Sequence, residues 1–239
     1  MQQPQLVIFD CDGVLIDSEP LASRTLAETL NTAGIAITAA EAHREFTGKA
    51  EADIRRLCVE RYGLDDDEAV FAAWHRTLYA AFARELKPMA GMLDLVTGLQ
   101  TARCVASNSR NERLRASLGT TALWRCFVPH IYGADSVARP KPAPDLLLHC
   151  ANAVGAQPAG SIMIDDSPHG IAAALAAGMT SIGFVDPNDP RPDRPNVLSS
   201  AGAGHIAIGA GQLGSILRAL GCVIASDAAP AGERVPVGR

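Results

Sequence analysis

Leu6, Val7, Ile8 and Phe9 form an unbroken apolar run that ends at once in Asp10, Cys11, Asp12 and Gly13. A run so short, and so rich in branched and aromatic side chains, is a strand. With no polar residue in alternation, it needs apolar cover on both faces. That requirement points to a parallel sheet sandwiched between helices. If Asp10 and Asp12 stay extended, the two-residue period turns both carboxylates to one side and Cys11 to the other. Like charges that close call for a proton or a cation between them. Hard cations such as Mg2+ choose oxygen ligands of this sort, usually one or two carboxylates with phosphate and water. A solvated turn at a strand end is the competing reading, and the rest of the chain decides between them.

From Asp17 the pattern becomes helical. Ser18 stands at an N-cap position, Pro20 fits a first turn, and Leu21, Leu26 and Leu30 recur at near-helical spacing. Helices are expected over 19–33, 39–46, 50–62 and 65–85, punctuated by Gly34, Gly48 and Gly63. No strand-like run interrupts them. Residues 17–87 therefore read as an all-helical insertion over the carboxyl end of the first strand, bounded by Asp17 and the Lys87-Pro88 hinge.

Beyond Pro88, strand and helix alternate, the pattern of a parallel sheet covered on both faces. Strands are expected at 104–106, near Ile131, and at 161–164, 180–184 and 205–208. Helices are expected at 92–100, 111–118, 145–154 and 169–177, the last closing on Gly178. The stretch DPNDPRPDRP reads as a loop and the residues from Ala225 as a loose tail.

In open parallel sheets, ligands bind beyond the carboxyl ends of the strands. Three strands end there in polar clusters: Asp10 with Asp12, Ser107 with Asn108, and Asp165 with Asp166. Lys141 lies on an intervening loop. Helix capping accounts for any single cluster, since Ser107 and Ser109 precede one helix and Asp166 and Ser167 another. It does not call for a lysine, a hydroxyl and two acidic pairs at the same end of one sheet.

Phosphoryl transfer uses all four, because charge on the transferring group must be neutralised and the attacking and leaving oxygens aligned. Asp10 is the candidate nucleophile, forming an acyl phosphate. Asp12 is the candidate acid and base for the leaving oxygen and then for water. Mg2+ held by Asp10 and Asp165, with Asp166 as ligand or supporting neighbour, would screen the phosphate from its attacker. Ser107, the Asn108 amide and Lys141 would receive phosphoryl oxygens.

Composition bounds the partners. With 239 residues, a net charge of -5 and 48% hydrophobic residues, the chain can bury a substantial core. It has no Lys/Arg-rich run suited to nucleic acid or an anionic membrane. The start MQQPQ does not resemble a signal sequence, and no segment approaches a membrane span, so a cytoplasmic location is expected. Six scattered cysteines without a CxxC pair suit free thiols, and six histidines show no HExxH spacing. No feature fixes an oligomeric state, and a monomer is the default expectation.

The motifs resemble those of the haloacid dehalogenase-like phosphohydrolase superfamily. All four occur in order between Leu6 and Phe184, as DCDGV at Asp10, VASNS ending at Ser109, RPKPAPD around Lys141 and MIDDS around Asp165. The resemblance implies an α/β fold with a Rossmann-like core formed by residues 1–16 and 88–239. It also implies a mobile helical cap over 17–87, Mg2+ as cofactor, and the Asp12 carbonyl as a further metal ligand. Within the superfamily, the capped group of phosphoglycolate phosphatase, β-phosphoglucomutase and sugar-phosphate phosphatases is most similar, with the 6-phosphogluconate phosphatase type a near relative.

The sequence departs from the mutase pattern. Thr47 and Glu51 stand around Gly48 where the mutase carries lysine and arginine, and Ala22 replaces a mutase histidine. Hydrolysis of a small phosphorylated metabolite, a sugar, sugar acid or polyol phosphate, is therefore expected over phosphotransfer. Asp12 argues against carbon–halogen cleavage. In the cap, Gly48 and Lys49 are candidate substrate contacts, with Glu19, Arg24 and His169 weaker ones; a lysine after a glycine is also a common solvated loop residue. Two other classes compete. A phosphate-accepting receiver domain is about half this length and lacks the insertion, and a binding module without turnover has no use for the full set of groups.

Overall fold

The computed structural model describes residues 3–225 apart from 48, 50, 66 and 190. β1 (Leu6–Phe9) is fully buried, as its unbroken apolar run requires. It lies at the centre of a six-stranded parallel sheet, hydrogen-bonded to β2 (Ala102–Ala106) on one side and β4 (Ser161–Asp165) on the other. β3 (Ile131–Tyr132) extends the β2 side, and β5 (Thr180–Val185) and β6 (His205–Ile208) extend the β4 side, giving the order β3-β2-β1-β4-β5-β6. The chain reverses its direction of travel across the sheet between β1 and β4, the switch point at which such sheets open a crevice.

The period of two in β1 divides the core. Val7 and Phe9 face α5 (Met92–Gly98) and α11 (Gly209–Ala219), packing with Met92, Val96, Leu213 and Leu217. Leu6 and Ile8 face the opposite layer, made by α8 (Asp145–Val154) and α9 (Pro168–Ala176), against Leu146, Leu147, Ala173 and Ala174.

Between β1 and α5 the chain forms α1 (Glu19–Thr32), α2 (Ala39–Phe46), α3 (Glu51–Tyr62) and α4 (Asp67–Glu85). They bury their own cluster, including Leu26, Leu30, Phe46, Phe71, Leu78 and Phe82. A capping box between Thr38 and Glu41 starts α2, and Trp74 donates from Nε1 to Thr25 Oγ1 at 3.1 Å to tie α4 to α1. The segment enters and leaves through one paired stretch: Asp17 N–H donates to the Lys87 carbonyl at 3.1 Å, and Met89 N–H to the Leu15 carbonyl at 2.9 Å.

Several expectations need correction. Ser18 occupies the N-cap of α1 but makes no capping hydrogen bond, because its hydroxyl is turned to Asp12. The proline-rich stretch after β5 is not loop throughout, since α10 (Arg194–Ser200) starts within it at Arg194 and Pro195, with proline in the first turn where its missing N–H costs nothing. The helix expected at 111–118 is shorter, as α6 (Asn111–Ala116), and a short α7 (Trp124–Phe127) follows it. α11 is a further helix beyond those expected: its Gly-Ala-Gly start lacks a capping side chain, although Leu213, Ile216, Leu217 and Leu220 recur at helical spacing. Gly178 follows α9 with φ 70°, in the left-handed cap expected. None of the six cysteines is paired. No helix among the described residues is long and apolar enough to cross a membrane.

Candidate active site

The register of β1 with its neighbours builds the site. Phe9 pairs with Val105 on one side and Ile164 on the other, so Asp10, Ser107 and Asp165 emerge at nearly the same level of the sheet. Asp10, Asp165 and Asp166 each present an oxygen, all within 4.8 Å of one another.

Lys141 reaches into this group from the loop before α8. Its ammonium donates to Asp10 Oδ1 at 2.8 Å, to Asp165 Oδ2 at 2.7 Å and to the Ala106 carbonyl at 3.0 Å. Burial opposes the lysine's charge, but Asp10 and Asp165 outweigh it and raise its pKa. Asn108 donates from Nδ2 to the Lys141 carbonyl at 2.8 Å and so holds the loop from the β2 side. Ser107 is buried, its hydroxyl accepting from the Ser109 N–H at 3.1 Å.

Two glycines set the approach distances. A Cβ on Gly170 in α9 would lie 1.7 Å from Asp165 Oδ2, so only glycine lets the helix pass this close to the carboxylate. Gly13, at φ 78°, turns the chain after Asp12 where a Cβ would stand 3.0 Å from Asp166 Cγ.

Asp12 faces a different set of partners. The Ser18 hydroxyl donates to Oδ1 at 2.5 Å, the Ser109 hydroxyl to Oδ2 at 2.8 Å, and the Arg113 guanidinium stands 3.5 Å from Oδ1. Burial works against its ionisation, yet Arg113 and the two hydroxyls prevail and hold its pKa below the ordinary carboxylate value. Asp10 behaves oppositely: burial first, then the charges of Asp165 and Asp166, push it up to about 8 against the pull of Lys141. Asp166 rises to about 7 through burial, then Asp165 and Glu19. Two carboxylates two residues apart thus sit on opposite sides of their usual value, the separation that acid–base chemistry uses.

Three clustered carboxylates with one ammonium among them carry surplus negative charge in a buried place. An all-oxygen donor set in that condition fits a hard divalent cation. Asp10, Asp165 and Asp166 are the residues that would hold it.

Sequence reasoning missed the groups around this centre. Arg191 donates to Asp189 Oδ2 at 2.6 Å and to Asp166 Oδ2 at 3.2 Å, and lies 3.9 Å from Glu19. Arg194 donates to the Asp166 carbonyl. A cavity of about 130 Å3 adjoins them, lined by Gly13, Glu19, His43, Asp166 and Arg191. A larger hollow of about 410 Å3 is lined by Arg44, Glu45, Arg61 and Tyr62 and by none of the clustered carboxylates. The weaker candidates separate: Glu19 lies at the site, Arg24 is tied to Glu85 at 2.7 Å, and His169 is exposed. Lys49 is exposed, its N–H donating to the Phe46 carbonyl at 3.1 Å, and Gly48 lies outside the described residues.

The chain is similar to several known proteins. The chain is 29% identical over 204 residues to the 6-phosphogluconate phosphatase of Escherichia coli strain K12, covering 83% of this chain and 91% of that protein. The crystal structure of a haloacid dehalogenase-like protein from Agrobacterium tumefaciens superposes with a TM-score of 0.78 at 33% identity, covering 90% of this chain and 98% of that one. A hydrolase of the same family from Deinococcus radiodurans, solved with bound phosphate and sodium, gives 0.78 at 28% identity, covering 92% and 98%. Residues 7–184 match the family model for haloacid dehalogenase-like hydrolases, the span that runs from β1 to β5 and holds the clustered carboxylates and Lys141, and the chain belongs to that family.

Proposed function

We propose that this protein is a Mg2+-dependent phosphatase that hydrolyses a small phosphorylated metabolite, a sugar, sugar acid or polyol phosphate, through a phosphorylated Asp10. The observation that carries the reading is the clustering of Asp10, Asp165 and Asp166, the first two bonded to one buried lysine, with Asp12 held separately beside them. Family membership supports a phosphoric monoester hydrolase. The relative named 6-phosphogluconate phosphatase and the neighbour with bound phosphate support the substrate class.

In the first half-reaction an Asp10 oxygen forms a bond to phosphorus, the bond from phosphorus to the bridging oxygen breaks, and that oxygen takes a proton from Asp12. In the second, Asp12 accepts a proton from water as the water oxygen bonds to phosphorus and the Asp10 carboxylate departs. The lowered pKa of Asp12 leaves it ionised, the form from which the second half starts. For the first half, the approaching negative phosphate raises that pKa and favours the acid form.

Asp10, Asp165 and Asp166 would hold Mg2+, which would supply positive charge to offset that of the phosphoryl group. Lys141 fixes the Asp10 carboxylate and adds positive charge, while Ser107 and the Asn108 amide receive phosphoryl oxygens. Residues 17–87 act as a cap on a core of 1–16 and 88–239, closing over the cleft to exclude water, with Lys49 and Gly48 on the segment that meets the leaving group. At the place where a mutase carries an arginine stands the Glu51 carboxylate, which accepts from Arg55 at 2.8 Å and shares a hydrogen bond of 2.8 Å with His75.

Phosphate release from a broad panel of phosphorylated metabolites tests the reading, with Mg2+, with EDTA, and with D10N. Release from a few sugar or polyol phosphates, lost in both controls, is the expected result. Turnover by folded, non-deamidated D10N would refute Asp10 as nucleophile.

A further inference from the structure

Arg113 belongs to none of the four motifs, yet from α6 it reaches Asp12. Its guanidinium stands 3.5 Å from Asp12 Oδ1 and lies over the Phe82 ring of α4, 5.6 Å from the centroid. Its Nε is buried without a hydrogen-bond acceptor. Leaving such a donor buried and unpaired is destabilising, so stability alone does not account for an arginine held here. A methionine would cover Phe82 without that cost.

Asp12 in turn receives donors from three separate places: Ser18 at the start of α1, Ser109 after β2, and Arg113. The hydroxyls can each swing about one bond, whereas the planar guanidinium is braced by the aromatic ring beneath it. Arg113 is also the one cation paired with Asp12 among the described residues.

We propose that Arg113 is a positioning residue for departure of the leaving group. It holds the Asp12 carboxylate aimed at the bridging oxygen, and it matters where that oxygen must be protonated to leave. The inference rests on the phosphatase reading above, in which Asp12 delivers that proton.

The test compares two leaving groups. A sugar alkoxide needs a proton on departure, whereas p-nitrophenolate leaves without one. Because kcat/KM reports steps only through loss of the leaving group, water attack on phosphorylated Asp10 does not enter the comparison. R113M is expected to lower kcat/KM for the best sugar phosphate of the panel by about 10²-fold, within the range general acids contribute. For p-nitrophenyl phosphate the change stays within about threefold, as expected for a group acting only through proton delivery. R113K, which keeps the stem and the charge, shows the same asymmetry in smaller measure and serves if R113M does not fold.

D12A shows the asymmetry too, and R113M added to D12A changes nothing more, since both act through one carboxylate. Equal losses on the two substrates, or additive losses in the double variant, overturn the proposal and leave the phosphatase standing. A wild-type protein that releases phosphate from neither substrate takes both down.

Discussion

Lys141 Nζ stands 2.7 Å from Asp165 Oδ2, with the two side chains 3% and 0% exposed. Removing the lysine leaves Asp10 and Asp165 facing each other without a cation. K141M is expected to lower metal-free stability by about 3–5 kcal/mol, the usual cost of breaking a buried pair from one side. Urea denaturation in EDTA measures this. Turnover should fall with it, and a variant as stable as the wild type would mean that the carboxylates take up protons at no cost.

The raised pKa values predict how metal and pH interact. Asp10 at about 8 and Asp166 at about 7 bind protons in the folded state that the unfolded chain, with values near 3.8, has released. Metal-free stability therefore falls as pH rises from about 4 towards 8. Mg2+ requires the deprotonated ligands, so the rise in melting temperature it brings should be larger at about pH 8 than at about pH 5. Calorimetry with Mg2+ and with EDTA across that range checks both slopes, and a pH-independent Mg2+ effect contradicts the assignment.

Glu51 carries the opposite sign. His75 first, then Arg55, lower its pKa from 4.5 to about 2 despite partial burial. Its contribution is complete above about pH 4.5 and is lost as pH falls towards 2. E51Q is expected to flatten this acid limb in a pH series of thermal melts by lowering stability at neutral pH towards its acid value, a small loss because the pair is partly solvated and screened.

Gly170 is the tightest spacing in the site. With its would-be Cβ 1.7 Å from Asp165 Oδ2, G170A must displace either α9 or the carboxylate. The expectation is a loss of turnover of about a hundredfold or more, as for a misplaced catalytic group. The Mg2+-induced stabilisation should disappear with it, and an alanine variant of near-normal activity would show that α9 yields easily.

The parts legible in the sequence are those fixed by local pattern. Leu6–Phe9 could only be a doubly covered strand, and Asp10, Asp165 and Lys141 follow from where strands and loops end. What escaped depends on side-chain reach across the fold. Arg113 stands among Arg110 and Arg115, and only the placement of α6 selects it for Asp12. Ser18 has the residue type and position of a helix cap, and its diversion to Asp12 needs the first turn after β1 to fold back. Arg191 lies in a proline-rich stretch whose composition says only that the chain turns, while its contact with Asp166 is a matter of three dimensions.

The two hydrogen bonds that join Asp17 to Lys87 and Met89 to Leu15 have a topological consequence. They bring the ends of the intervening helices together, so from the sheet's side residues 17–87 are equivalent to a single short turn. The strand order never passes through them. A lineage could lengthen, shrink or exchange that whole excursion without re-threading a single strand of the core.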